Sequence, residues 1–141
     1  AAVEAAEIWR RKTLARVQGP AYGGGVGLIA ACDIAVGTYA AAFALSEVKL
    51  GIVTAAIGER YSRRRYILTA ERFSGVEGCR IGLLHELLPG EEQLDEAIAE
   101  IIDSLLANGP NAQAECKALI RVVAGQPIRV PQAEGIAERT V

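Results

Sequence analysis

The feature that most constrains this chain is a glycine-rich run that leads into an apolar segment. Gly23, Gly24 and Gly25 follow one another, and the first charged residue after them is Asp33. Consecutive glycines leave no side chain above the backbone, so a ligand can approach their amide N–H groups directly. At the start of a helix these N–H groups have no intrahelical acceptor, and the positive end of the helix dipole lies beside them. The run therefore predicts a site that stabilises negative charge.

Size and charge restrict the classes of protein to which the chain can belong. Its 141 residues suffice for a domain with a hydrophobic core, and a formal net charge of -2 argues against nucleic-acid and anionic-membrane partners. Asp33 divides the best apolar run, so no membrane-spanning helix is predicted. The 3 cysteines are widely spaced and lack metal-ligand spacing, which indicates reduced thiols, no metal site and a cytoplasmic protein.

The apolar patterns predict an α/β chain with an α+β-like layout, in which mixed structure is followed by helices. Strands or extended segments are expected at residues 13–17, 34–37, 42–45 and 84–88. Helices are expected at residues 1–12, 24–32, 57–69, 75–81, 91–107 and 111–124. We expect a partial core at residues 1–75 and a C-terminal helical region at 76–141.

Four of these helices carry predicted apolar faces, and the face of the helix at 111–124 consists of Cys116, Leu119, Ile120 and Val123. The helix at 24–32 is apolar on all sides and is expected to be buried. In the helix at 57–69 the predicted face consists of Ile57, Tyr61, Ile67 and Leu68. In the helix at 91–107 the predicted stripe consists of Leu94, Ile98, Ile101, Ile102 and Leu105.

The glycines have two other interpretations. The segment from Gly25 to Ala30 fits G-x-G-x-x-A, and Glu47 stands about 20 residues further on, where a dinucleotide site places its ribose-binding acid. However, a dinucleotide fold runs a strand directly into its first glycine, whereas the sequence G-P-A-Y precedes Gly23. The glycines would also suit a helix that merely packs tightly against a strand.

Three isolated polar residues are interpreted as follows. Asp33 lies between a predicted helix and a predicted strand, and is expected to accept backbone N–H bonds there. His85 has no metal-ligand spacing and is interpreted as structural. Glu47 is either a solvated acid at the end of a strand or a carboxylate in a partly apolar site, where it would act as general base or acid.

An arginine cluster lies on the predicted helix at 57–69 and consists of Arg60, Arg63, Arg64 and Arg65. Such a cluster is typical of a solvated helix face. The alternative is that one of these arginines reaches an anionic group on a substrate.

Several blocks of the sequence resemble, in the same order, the enoyl-CoA hydratase/isomerase (crotonase) superfamily. They lie between residue 13 and about residue 124 and include R-V-Q-G-P-A-Y-G-G-G-V-G-L, A-C-D-I-A, F-A-L-S-E-V-K-L-G, L-T-A-E-R-F-S and I-G-L-L-H-E-L-L-P. The subgroup that looks closest is the bacterial methylglutaconyl-CoA hydratase-like proteins. The resemblance implies the crotonase fold, a spiral of ββα units with a C-terminal helical oligomerisation region, and a homotrimer or a dimer of trimers.

In that family an acyl-CoA thioester lies over the glycine-rich helix start, where two backbone N–H groups form an oxyanion hole. The resemblance places one of these donors at Gly24 and further substrate-binding positions at Tyr22, Gly23 and Gly25. Nothing in this sequence corresponds to the loop that supplies the second donor.

Hydratases of the family typically use two glutamates, and the resemblance assigns a position to each. The first falls at Gly27, which cannot exchange a proton, and the second falls at Glu47. We therefore expect reversible hydration of an enoyl-CoA thioester with Glu47 alone as the acid–base group. The alternatives are double-bond isomerisation and a non-catalytic acyl-CoA-binding role. No metal or redox cofactor is expected, because the thioester is itself the electron sink and coenzyme A enters as part of the substrate.

Two regions depart from the family pattern. The N-terminal half of the family fold has no counterpart in this sequence. After Val53 the family usually has a proline and a loop, whereas T-A-A-I-G-E-R-Y follows at once here. We therefore expect the sequence to be part of a longer protein.

Overall fold

The part of the chain described by the computed structural model, residues 11–45 and 61–124, alternates short strands with helices. The strands are β1 (Leu14–Val17), β2 (Ala21–Tyr22), β3 (Ile34–Thr38), β4 (Ala42–Ala44), β5 (Phe73–Ser74) and β6 (Glu86–Leu88). The helices are α1 (Gly24–Ala31), α2 (Tyr61–Thr69), α3 (Gly75–Arg80), α4 (Glu91–Ala107) and α5 (Pro110–Ala124).

Most predicted elements are confirmed, and two strands were missed. Of the predicted elements within the described residues, all but two agree with the observed bounds to within one residue. One of the two is the extended segment at 84–88, whose strand begins at Glu86; the other is the helix at 57–69, of which residues 57–60 lie outside the described residues. Most of the predicted helix at 1–12 also lies outside them. The missed strands, β2 and β5, are two residues long.

The strands form two sheets. In the first sheet β3 lies between β1 and β6, and both pairings are parallel, with Leu14 opposite Ile34. In the second sheet β4 lies between β2, which is parallel to it, and β5, which is antiparallel. Phe43 of β4 lies opposite Ala21 on one side and Phe73 on the other. Because β2 and β4 are parallel, their C-terminal ends lie side by side at the same end of the sheet.

Aromatic side chains form the part of the core that packs on the second sheet. Phe43 is fully buried, and its ring centre lies 5.3 Å from that of Phe73. The Tyr66 ring of α2 lies on the other side of Phe73, with 4.4 Å between the ring centres. Gly78 of α3 also approaches Phe43, and a Cβ atom at that position would be 2.9 Å from a ring carbon. The absence of a side chain at residue 78 therefore allows α3 to approach β4 this closely.

The helix α4 is held against the first sheet by a buried leucine and by ion pairs of Arg16 with Asp95 and Glu91. Leu94 is fully buried, and Arg16 Nε of β1 donates to Asp95 Oδ1 at 2.7 Å. The predicted stripe of α4 is thus confirmed at Leu94. Further along the helix Ile98 and Ile101 are half-buried, whereas Ile102 is 43% exposed.

The chain divides into two compact units, residues 1–107 and residues 108–141. The second unit contains α5, whose apolar residues Leu119, Ile120 and Val123 are exposed. The predicted division at residue 75 stays a prediction. Within the described residues, no helix combines the length and the apolar character that a bilayer crossing requires.

Two predicted burial patterns are partly wrong. Leu28 of α1 is 74% exposed, because α1 turns only one face to the core and that face carries Val26 and Ile29. Leu68 of α2 is 72% exposed, and Tyr66, which the predicted face omitted, is buried instead. The stacking of Tyr66 on Phe73 sets the rotation of this helix.

Glu77 joins α3 to α2. It accepts hydrogen bonds from the Tyr66 hydroxyl and from Arg80 Nε, the latter at 2.7 Å. The Arg80 guanidinium and, next, the Tyr66 hydroxyl hold the pKa of Glu77 at about 2, below its ordinary value of 4.5. The Ser74 hydroxyl caps α3 by accepting the Glu77 N–H.

Replacing Phe43 should be the most destabilising change in the second sheet. We expect Phe43→Ala to lower the free energy of unfolding by about 3–5 kcal/mol, because it leaves a buried cavity beside the Phe73 ring. The matched control is the exposed Leu68→Ala, expected to change it by less than about 0.5 kcal/mol. Urea unfolding measures both, and equal effects would contradict the observed burial.

The depressed pKa of Glu77 predicts a pH-dependent stability. A carboxylate whose folded pKa lies below its unfolded pKa stabilises the fold fully above about pH 4.5, and this contribution is lost as the pH falls towards about 2. In urea unfolding followed from pH 7 downward, Glu77→Gln should lose this part of the pH dependence. Tyr66→Phe should only reduce it, because Arg80 has the larger effect on the pKa. Identical pH profiles for wild type and Glu77→Gln would refute this assignment.

Candidate functional site

The candidate site is the helix start, defined here as Gly23, Gly24 and Gly25. Gly23 is the N-cap of α1 and has φ 52° and ψ -122°, a conformation that residues with a Cβ rarely adopt. Its N–H donates to the Ala44 carbonyl of β4 at 2.9 Å, and its own carbonyl accepts the Val26 N–H at 3.0 Å. The N–H of Gly23 therefore attaches α1 to the second sheet, and its carbonyl closes the first turn of the helix.

The next two residues present free backbone donors. Among the described residues, no group accepts the N–H of Gly24 or of Gly25. Gly24 is exposed, and a Cβ atom placed on it would meet nothing within 4 Å. The positive end of the α1 dipole adds to these donors. The helix start thus has the donors and the open space that an anionic oxygen requires.

Two other predicted site residues adjoin the helix start. Tyr22, at the end of β2, is 46% exposed, and its hydroxyl oxygen accepts a hydrogen bond from Arg72 Nη2. Gly27 is buried within the first turn of α1, and its N–H donates to the Gly23 carbonyl at 3.4 Å. The structure therefore brings Tyr22, the helix start and Gly27 together. Glu47 lies outside the described residues.

Sequence reasoning missed Arg72, which lies directly before β5. Its guanidinium carbon is 5.2 Å from the centre of the Tyr22 ring. The two residues are 50 positions apart and are joined only through the pairing of β2, β4 and β5. Because β2 and β5 are too short to show a strand pattern, no local signal in the sequence relates Arg72 to Tyr22.

Asp33 and His85 have the structural contacts expected of them. Asp33 Oδ2 accepts the Thr13 N–H at 2.8 Å, and Asp33 donates its own N–H to the Thr13 carbonyl at 3.0 Å. These bonds join the residues that precede β1 and β3. His85 Nδ1 accepts the Ala35 N–H at 3.1 Å, and the His85 N–H donates to the Ala35 carbonyl at 2.7 Å. His85 thus continues the pairing between β3 and the segment before β6.

The arginine cluster is described only in part. Arg65 Nε is 2.7 Å from Glu71 Oε1, and the Arg65 side chain is 70% exposed. This supports the solvated helix face for Arg65. Arg60 and the Arg63 side chain lie outside the described residues.

An open cleft of about 360 Å³ lies between β1 and the second half of α1. It is lined mainly by apolar groups, including Ala15, Val17, Leu28 and Ile29. None of the three helix-start residues lines it. We therefore assign the candidate site to the helix start and not to this cleft.

The dinucleotide interpretation is wrong. In a dinucleotide fingerprint the first glycine forms the turn between a strand and a helix. Here β2 ends at Tyr22, and both Gly25 and Gly27 lie inside α1. These two glycines therefore do not form that turn.

Cysteines and metal-ligating residues form no cluster in the described part of the chain. Cys32, Cys79 and Cys116 are free thiols. No group of three or more His, Cys, Asp or Glu residues in the described ranges is placed to hold a metal ion.

Comparison with known proteins identifies the family. A family model described as enoyl-CoA hydratase/isomerase matches residues 7–129. The chain therefore belongs to the enoyl-CoA hydratase/isomerase (crotonase) superfamily. Its crotonase fold is also seen in the crystal structure of an enoyl-CoA hydratase from Shewanella pealeana, which matches 98% of this chain and 56% of that chain, with a TM-score of 0.76 and 34% identity.

Two relatives indicate the range of named activities and the extent of the match. An enoyl-CoA hydratase from Alternaria alternata is 38% identical over 118 residues, which are 79% of this chain and 40% of that protein. The peroxisomal Delta(3,5)-Delta(2,4)-dienoyl-CoA isomerase of Arabidopsis thaliana is 33% identical over 128 residues, which are 85% of this chain and 46% of that protein. The chain thus spans less than half the length of these two relatives.

The two neighbouring glycines Gly23 and Gly24 should respond differently to alanine. Gly23→Ala is expected to lower the free energy of unfolding by about 1–3 kcal/mol, because its positive φ is strained for alanine. Gly24→Ala is expected to change it by less than about 1 kcal/mol, because the added methyl group enters open space. Thermal or urea unfolding of both variants measures this difference. Equal losses of stability would contradict the observed helix start.

Proposed function

We propose that the protein acts on an enoyl-CoA thioester, and that the Gly24 N–H donates to the thioester oxygen as negative charge develops there. The observation that carries this proposal is the helix start, where the N–H groups of Gly24 and Gly25 have no acceptor among the described residues and Gly24 is exposed. The family supports the substrate class. Tyr22, Gly23 and Gly25 are proposed to line the thioester beside Gly24.

The chemistry follows from where the charge moves. Negative charge develops on the thioester oxygen when the carbon next to the thioester loses a proton, or when the oxygen of water adds to the following carbon of the double bond. Addition of a proton to the carbon next to the thioester then removes this charge. A fixed N–H donor beside that oxygen stabilises the charged state more than the neutral one, and the loss of one such donor typically costs about 3–4 kcal/mol. Because the thioester itself accepts the electrons, we expect the reaction to need no metal or redox cofactor.

Glu47 is the proposed acid–base group. It stands three residues beyond Ala44 in the sequence, and three residues span at most about 11 Å. β2 and β4 are parallel, so the end of β4 lies beside the end of β2, from which the chain enters the helix start. The C-terminal end of β4 therefore lies beside the helix start, which supports the assignment of this role to Glu47. We propose that Glu47 delivers or removes the proton at the carbon next to the thioester.

Reversible hydration is the reaction we favour, and isomerisation is the alternative. Hydratases of the family typically use two glutamates. The position of the first falls at the buried Gly27, so that only Glu47 is left for proton transfer. Isomerisation needs only one group that shuttles a proton, and one relative is named a dienoyl-CoA isomerase. A homotrimer or dimer of trimers and a cytoplasmic location stay predictions.

The first experiment is to mix the protein with crotonyl-CoA and with 3-methylglutaconyl-CoA. We expect the enoyl-thioester absorbance to fall, and Glu47→Gln to slow this by at least about 100-fold, the usual contribution of a positioned acid–base group. Gly24→Ala should slow it while the protein stays folded. Glu92→Gln, on the exposed first turn of α4, is the matched control and should keep the wild-type rate.

The other outcomes separate the alternatives. A double bond that moves without uptake of water, detected by mass spectrometry of the product, would replace hydration by isomerisation. Binding of CoA esters without turnover of any enoyl thioester would refute an enzymatic function and leave the acyl-CoA-binding role.

A further inference from the structure

Three residues that are distant in sequence form one row across the second sheet. Tyr22 of β2 lies opposite Ala44 of β4. On the other side of β4, the antiparallel strand β5 places Ser74 opposite Ala42 and Phe73 opposite Phe43. If this register is continued by one residue, Arg72 is opposite Ala44. Side chains of directly opposite residues point to the same face of a sheet. Tyr22, Ala44 and Arg72 therefore share a face.

The outer two members of this row meet above the middle one. Their backbones are two strand spacings apart, roughly 10 Å, which is within reach of a tyrosine and an arginine that extend towards each other. The small side chain of Ala44 leaves room for this. Arg72 Nη2 donates to the Tyr22 hydroxyl oxygen, and the guanidinium also lies against the Tyr22 ring. This pair is called the Tyr22–Arg72 contact below.

The contact uses an arginine that has no carboxylate partner among the described residues. Arg16, Arg65 and Arg80 each form an ion pair with a carboxylate. Within the described residues Arg72 forms none, and its guanidinium donates instead to the Tyr22 hydroxyl oxygen. In this part of the chain, the contact with Tyr22 is therefore the interaction in which the Arg72 guanidinium takes part.

The strand that the contact holds is weakly attached without it. β2 has two residues and, among the described strands, lies at an edge of its sheet. The residue after β2 is Gly23, whose N–H donates to the Ala44 carbonyl. A strand this short has few ladder hydrogen bonds, so one side-chain link across the sheet adds substantially to its attachment. Tyr22 is covalently joined to Gly23, and its position therefore sets the orientation of the helix start.

We infer that Arg72 is a positioning residue: through the Tyr22–Arg72 contact it holds Tyr22 over Ala44 and so fixes the direction of the Gly24 N–H. This role rests on the proposed function of the helix start as the donor to a thioester oxygen. Loss of the Tyr22–Arg72 contact should slow the chemical step. The reason is that a displaced Gly24 N–H would stabilise the charge that develops on the thioester oxygen less well.

The contact itself is tested without any substrate. Hydrogen–deuterium exchange of the peptide that contains the Gly23 amide should become at least about threefold faster in Tyr22→Phe and in Arg72→Gln, because the Gly23 N–H bond to Ala44 opens more often. Tyr22→Phe keeps the ring and removes only the hydroxyl. Glu71→Gln is the matched control, since it removes the neighbouring ion pair with Arg65 and leaves the contact in place. Unchanged exchange in both test variants would overturn the inference.

The catalytic consequence is tested by steady-state kinetics on the enoyl-CoA that the wild-type protein converts. We expect Arg72→Gln to lower kcat by about tenfold with KM changed less than about twofold, and Tyr22→Phe to act in the same direction. The double variant should be no slower than Arg72→Gln alone, because both changes remove one contact. Glu71→Gln should keep the wild-type kcat.

Two kinetic results would contradict the positioning role of Arg72. A raised KM with unchanged kcat would mean that Arg72 binds the substrate directly, and additive effects in the double variant would mean that the two residues act separately; each overturns the inference. If the wild-type protein converts no enoyl-CoA, the proposed function fails and the positioning role fails with it, while amide exchange still decides whether the Tyr22–Arg72 contact holds the helix start.

Discussion

The hydrogen bond from the Gly23 N–H to the Ala44 carbonyl is the interaction on which the start of α1 depends. It attaches the helix to the central strand of the second sheet, and it requires a backbone conformation that suits glycine. Because the Gly23 N–H is used in this bond, the donors that lack an acceptor within residues 11–45 and 61–124 are those of Gly24 and Gly25. The position of β4, set by the buried Phe43, therefore determines where these donors lie.

The fold was predictable wherever a pattern is local. The helix α4 was predicted with its observed bounds, because its apolar residues repeat along one face and acidic residues and Asn108-Gly109-Pro110 mark its ends. The two-residue strands β2 and β5 have no period to detect. The rotation of α2 was also missed, since it depends on the stacking of Tyr66 on Phe73, a contact made by tertiary packing. Local pattern favoured Leu68 instead.

The part of the candidate site that consecutive residues form was also predictable from the sequence. Consecutive glycines mark the helix start, and the structure adds a reason for two of them: a positive φ at Gly23 and open space at Gly24. Arg72 was not predictable, because its relation to Tyr22 exists only once three strands have paired. Glu47 stays a prediction, since it lies outside the described residues and its assignment comes from the family pattern and from the direction of β4.

The close approach of Gly78 to Phe43 links sequence variation in α3 to the geometry of the helix start. Any side chain at residue 78 would have to push α3 away or move the Phe43 ring. Phe43 is the residue next to Ala44, so such a shift would reach the carbonyl that holds Gly23. Residues 43 and 78 are therefore expected to vary together during evolution, with a larger residue at one tolerated only beside a smaller one at the other.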